Sequence, residues 1–182
     1  MQNIADLLDQ YNNEKIPKNV FNAALAKYST NDLNAFLTSL TEKNDRYANM
    51  FNNVCDKIST HLVNEFPENR NFNIYGSVIR DIVAKKPREP ISIFIENVYD
   101  NDKYRQSIIK GDENFFKKSN HEQLTKDTES LNAMFQFKEC WDMMTTESHA
   151  FIKKMMKMLI DICDKYVDTA CNANIIKNAI RA

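Results

Sequence analysis

Three histidines and four cysteines are the side chains of this sequence best suited to nucleophilic or metal chemistry, and their spacing serves neither. Cys55, Cys140, Cys163 and Cys171 are separated by 85, 23 and 8 positions, with no Cys-x-x-Cys pair, and His61, His121 and His149 join none of them at finger spacing. Tetrahedral zinc is held by closely paired ligands, so no metal site is expected. His149 and Cys163 are fourteen positions apart on one helical stripe. That is about 21 Å along a helix axis, too far for a nucleophile and its base. Cys163 lies on an apolar stripe and Cys55 borders one, the usual setting of a buried thiol. The run Gly76-Ser77-Val78-Ile79-Arg80-Asp81 sets two small residues before an arginine and a carboxylate. The next apolar stretch reads Ile91-Ser92-Ile93-Phe94, with Glu89 and Glu96 outside it, and supplies no carboxylate pair for two metal ions. No cofactor is expected.

The elements that must position these residues are helical by composition. The chain has 182 residues, 43% hydrophobic and 27% charged, which is enough to bury one sizeable core. Gly76 and Gly111 are the only glycines. Tight hairpins need residues of positive φ, so a many-stranded fold is excluded. The expectation is an all-α protein, an irregular multi-helix bundle of about eight helices forming a single domain over residues 1–182. Within it, residues 1–66 form an N-terminal layer, 72–171 the main part and 172–182 a terminal segment. No run of 18 apolar residues is present, so no membrane span is expected. With no signal peptide evident, the thiols are expected in a reducing compartment. A net charge of −1 argues against a nucleic-acid partner. Such binding would need Lys85, Lys86, Arg88, Lys117 and Lys118 on one face.

The periodicity predicts short helices around Ile4–Tyr11, Val20–Tyr28 and Leu33–Leu40, the third capped from Ser29-Thr30-Asn31-Asp32. Thr41 or Asn44 then opens a longer helix that ends at Pro67. Residues 72–84 read as a helix with a wide apolar face: Ile74, Val78 and Ile82 recur at four-residue steps, as do Tyr75, Ile79 and Val83. Residues 91–95 fit a strand by alternation, but helical spacing over Ile91, Phe94, Ile95, Val98 and Tyr99 matches more positions, and Pro90 suits a helix start. Gly111 suits a left-handed cap, and Asp112 caps the turn bearing Phe115 and Phe116. Residues 117–129 are almost wholly polar. Helices over Thr128–Met144 and Thr145–Cys171 are expected to form a central antiparallel pair. Residues 172–182 either continue as a short helix or fray.

Two stretches stand out as contact surfaces. Trp141, in a stripe with Leu131, Met134, Phe135 and Met144, is expected to anchor the core or an interface. The Phe72–Val83 helix and the 91–99 segment carry more apolar surface than one neighbouring helix covers. Tyr75, Ile79, Val83, Phe94 and Val98 are therefore expected to meet another protein chain or a second copy of this one. The Lys153, Lys154 and Lys157 cluster reads as a solvated helix face. Met155, Met156 and Met158, with Met143 and Met144, read as core filling.

Three resemblances bear on function. Gly76–Asp81 resembles the opening motif of tRNA-nucleotidyltransferase and poly(A) polymerase proteins, where a Gly-Ser turn faces triphosphate before a strand bearing two metal-binding acids. The acids are missing here, which would make this chain a degenerate or divergent member. Asn73-Ile74-Tyr75-Gly76-Ser77 resembles the groove motif of viral Bcl-2-like proteins through Gly76 and its preceding aromatic, without the arginine that pairs an acidic ligand residue. Residues 90–166 carry Pro90-Ile91-Ser92-Ile93-Phe94, Asn101-Asp102-Lys103-Tyr104-Arg105, Gly111-Asp112-Glu113-Asn114-Phe115-Phe116 and Phe135-Gln136-Phe137-Lys138 before Trp141. This stretch is similar to a group of small uncharacterised helical proteins of large nucleocytoplasmic DNA viruses. That resemblance implies a viral origin, a place in the virion or the host cytoplasm, and a non-catalytic structural or protein-binding role.

Overall fold

The computed structural model describes residues 3–118 and 140–181. Every regular element among them is helical. The helices are α1 (Ile4–Asn12), α2 (Lys18–Leu25), α3 (Thr30–Glu65), α4 (Arg70–Lys85), α5 (Glu89–Phe94), α6 (Asp102–Lys110), α7 (Glu113–Lys118) and α8 (Thr146–Arg181). The protein is therefore all-α and multi-helical. The chain divides into two compact units, residues 1–46 with 166–182, and residues 47–165. The divisions fall within α3 and α8, and the polar loop 67–71 lies inside the second unit.

The first unit is built from α1, α2, the first half of α3 and the last part of α8. Asn3 caps α1 by accepting from the Ala5 amide, and Ile4, Leu7 and Leu8 follow at helical spacing on the buried face. Pro17 is the N-cap of α2, where its missing N–H costs nothing. Ser29 and Asp32 cap α3 reciprocally: the Asp32 amide donates to the Ser29 hydroxyl at 3.1 Å, and the Ser29 amide to the Asp32 carboxylate at 3.2 Å. These elements enclose a core of Ile4, Leu7, Leu8, Phe21, Leu25, Leu33, Leu40 and Ile176, with Tyr11 stacked on Phe21.

A single 36-residue α3 replaces the two helices expected over 33–66. No Gly or Pro lies between Thr30 and Glu65 to break it. The Thr41 hydroxyl donates to the Leu37 carbonyl one turn back instead of capping a new start. α8 likewise runs unbroken through the segment that was expected either to continue or to fray.

The second unit holds the later half of α3, α4 to α7 and the first part of α8. Phe51, Ile91, Phe94, Val98, Ile108, Phe116, Trp141, Ile152, Leu159 and Cys163 form its interior. Residues 91–94 are helical, with Pro90 in the first turn. The helix then widens into a π turn, Ile95–Tyr99, with the Asp100 amide donating to the Ile95 carbonyl. Asn101 caps α6, which ends on Gly111 at φ 65°. The Asp112 side chain accepts from the Asn114 amide. Trp141 sits in a 3-10 turn, Trp141–Met143, and Met144 after it is extended. Leu131, Met134 and Phe135, and with them most of the expected Thr128–Met144 helix and its antiparallel pairing, lie outside the described residues.

Candidate functional site

One cluster among the described residues combines side chains that could do chemistry. His61 and Glu65 stand one turn apart near the end of α3. Ser148, in the first turn of α8, places its hydroxyl 2.9 Å from His61 Nε2. A carboxylate oxygen of Glu65 lies 3.4 Å from that same Nε2. In a hydrolytic triad the two ring nitrogens divide the work, one facing the nucleophile and the other the acid. Here both partners crowd one nitrogen, so Glu65 cannot hold the tautomer that would let His61 take the serine proton. Ser148 is also buried, and the His61 ring is covered by Phe151 at 4.3 Å.

The same residues form a helix cap. The Thr145 hydroxyl accepts from the Ser148 amide at 3.2 Å, and the Thr145 amide donates to Glu65 at 3.3 Å. A carboxylate beside the first turn of α8 is favoured by the partial positive charge of that helix end. The cluster thus ties the end of α3 to the start of α8. A shallow depression of about 670 Å³ beside it is lined by Glu65, residues 66–71, Cys140 and Met143.

The thiols are placed for packing. Burial pushes Cys55 up to about 12 and raises Cys163 as well. Such thiols stay protonated and unreactive at neutral pH. Among the described residues, no three His, Cys, Asp or Glu side chains gather to hold a metal ion. Gly76 and Ser77 lie inside α4 and residues 91–94 inside α5, so the turn and strand of a nucleotidyltransferase site are both absent there. Lys153 is paired with Glu113 at 2.9 Å and Lys86 with Glu89 at 3.0 Å, which takes both from any basic patch.

The expected contact residues divide. Phe94 and Val98 are 0% exposed and belong to the interior. Fully buried, they cannot meet another chain; Phe94 packs edge to face on Phe51 at 5.3 Å. Ile79 and Val83 are half-buried, and the Tyr75 side chain lies outside the described residues. Trp141, 0% exposed, is stacked between Phe116 at 4.8 Å and His149 at 4.3 Å. It anchors this unit's interior.

The outward face of α4 is carried by other residues. Gly76 faces α3 so closely that an added Cβ would lie 2.6 Å from the Ser59 hydroxyl, and Arg80 reaches Asp56 at 3.6 Å. With that side docked, Ile74 and Val78 point to solvent at 56% and 36% exposure. Asn71 precedes them on the same face, and the depression it lines also holds Met143, 65% exposed. Both apolar faces of this helix were visible in its periodicity, but only the Gly76–Ser59 contact decides which is open. No helix of the described residues is long and apolar enough to cross a membrane. No family model matches the chain, and neither a curated protein nor a solved structure matches it.

Proposed function

We propose that this protein works by contact with another protein chain and catalyses no reaction. The observation that carries the reading is the apolar pair Ile74 and Val78, one turn apart on the open face of α4. Side chains of this kind on a well-formed helix suit helix-to-surface recognition. The wiring of the His61 cluster supports the non-catalytic half, since its groups are engaged in joining two helix ends. The virion or the host cytoplasm is the setting we assign, on the resemblance of residues 90–166 alone.

A photo-crosslinking residue at position 74 tests the contact. It is expected to form an adduct with a protein, while the same residue at the exposed Lys27 forms none. The double substitution Ile74→Glu and Val78→Glu should remove the contact and leave the helical circular dichroism unchanged, because neither side chain is buried. An unaltered set of bound proteins in that variant would overturn the reading.

A further inference from the structure

We infer that the chain meeting α4 is a second copy of this protein, docked antiparallel on the Ile74–Val78 face of the same helix about a two-fold axis at the height of Gly76. This inference rests on the contact reading above and names its partner. Two-fold interfaces are self-complementary, so each residue on one side must find a suitable partner on the other. In an antiparallel register centred on Gly76, Ile74 of one copy faces Val78 of the other, and the reverse. The two apolar residues therefore cover each other.

The flanking charges fit the same register. Arg70 opens α4 and Asp81 lies near its other end, both exposed. At 100° per residue they fall on the same flank of the Ile74–Val78 stripe. A two-fold axis in the interface brings matching flanks together, so Arg70 of each copy meets Asp81 of the other. Arg70 and Asp81 make no ion pair among the described residues, whereas Arg80 on the inner side is already engaged with Asp56. Parallel pairing would set like charges beside each other, at an energetic cost. A pairing limited to one helix of about 24 Å buries less than the ~1,200 Å² of stable complexes, so the dimer is weak and reversible.

Sedimentation equilibrium of the full chain from about 10 µM to about 1 mM should show a reversible monomer–dimer equilibrium. Ile74→Glu with Val78→Glu should abolish it. Arg70→Asp and Asp81→Arg should each weaken it about tenfold or more, because each places like charges at both contacts. Mixing those two single variants one to one should restore wild-type association, since opposite charges then meet at both contacts. Circular dichroism checks that every variant keeps its helices. A wild type that stays monomeric throughout overturns the inference. So does a dimer indifferent to positions 74 and 78, or a mixture that fails to recover. If the wild type is monomeric but a crosslinker at position 74 still captures a different protein, the contact reading stands and only the second copy is lost.

Discussion

Cys55 and Cys163 show how burial sets the behaviour of a group that looks reactive on paper. Cys171 is the exposed thiol, and the other three are buried. A thiol reagent at pH 8 should therefore modify Cys171 rapidly and the others only in denaturant, as counted by absorbance. The raised pKa also gives a pH dependence of stability. Folded Cys55 holds its proton to about 12, against the ordinary 9.0 of an exposed thiol. Below pH 9 this contribution to stability is intact. As pH rises from about 9 towards 12, the unfolded chain releases a proton that the fold retains, so stability falls. The urea midpoint should decline over that range in the wild type and less steeply in Cys55→Ala; parallel declines would contradict the burial of this thiol. The burial of Cys55 and Cys163 was legible in the apolar stripes they border or join. The His61–Ser148 contact was not, because it joins residues 87 positions apart through two helix ends. The one local signal was the i, i+4 spacing of His61 and Glu65, which many surface helices share.

At the scale of elements, local chemistry was readable wherever a side chain bonds its own neighbourhood. Ser29 with Asp32, Gly111 and Asp112 all do what their types suggest. Failures came where local signals are ambiguous. Thr41 and Asn44 look like caps, yet both sit inside the long α3, where the Thr41 hydroxyl donates to the preceding Leu37 carbonyl. Trp141 is buried as its type suggests, packing from a 3-10 turn. The α4 face depends on Gly76, which allows a close approach to Ser59 and stays in the helix despite its poor propensity. Gly76→Ala alone should therefore forfeit much of its helix gain by displacing the Ser59 hydroxyl. In a Ser59→Ala background the same change should stabilise the protein by about 1 kcal/mol. A double-mutant cycle in urea measures the difference, and strict additivity of the two changes would refute the contact.

For the whole molecule, the sequence pointed correctly to an all-α protein, since two glycines leave no room for repeated hairpins. The division into units was harder to read. A boundary normally announces itself as a polar, Pro-bearing loop such as 67–71, but here the divisions run through two helices with no break in their apolar pattern. Each unit has its own interior, so removing residues 166–182 should act on one of them. Without Ile176 the Leu7, Phe21 and Leu33 cluster loses a fully buried member. Limited proteolysis of a chain ending at Lys165 should cut residues 13–29 faster, while Cys55 and Cys163 keep their protection. Equal cutting rates in the two chains would show that α1 and α2 hold together without the end of α8.

The discontinuous make-up of the first unit also orders events during synthesis. Its α1, α2 and early α3 segments leave the ribosome some 120 residues ahead of the α8 residues that complete their core. At ordinary elongation rates that is a wait of roughly 6–24 s. For that interval Leu7, Leu8, Phe21 and Leu25 have no Ile176 to close over them, and the nascent chain presents them to whatever is nearby. The earlier-made part of this unit therefore waits on the later-made part to complete its core. In the cell it is also the part a chaperone would meet.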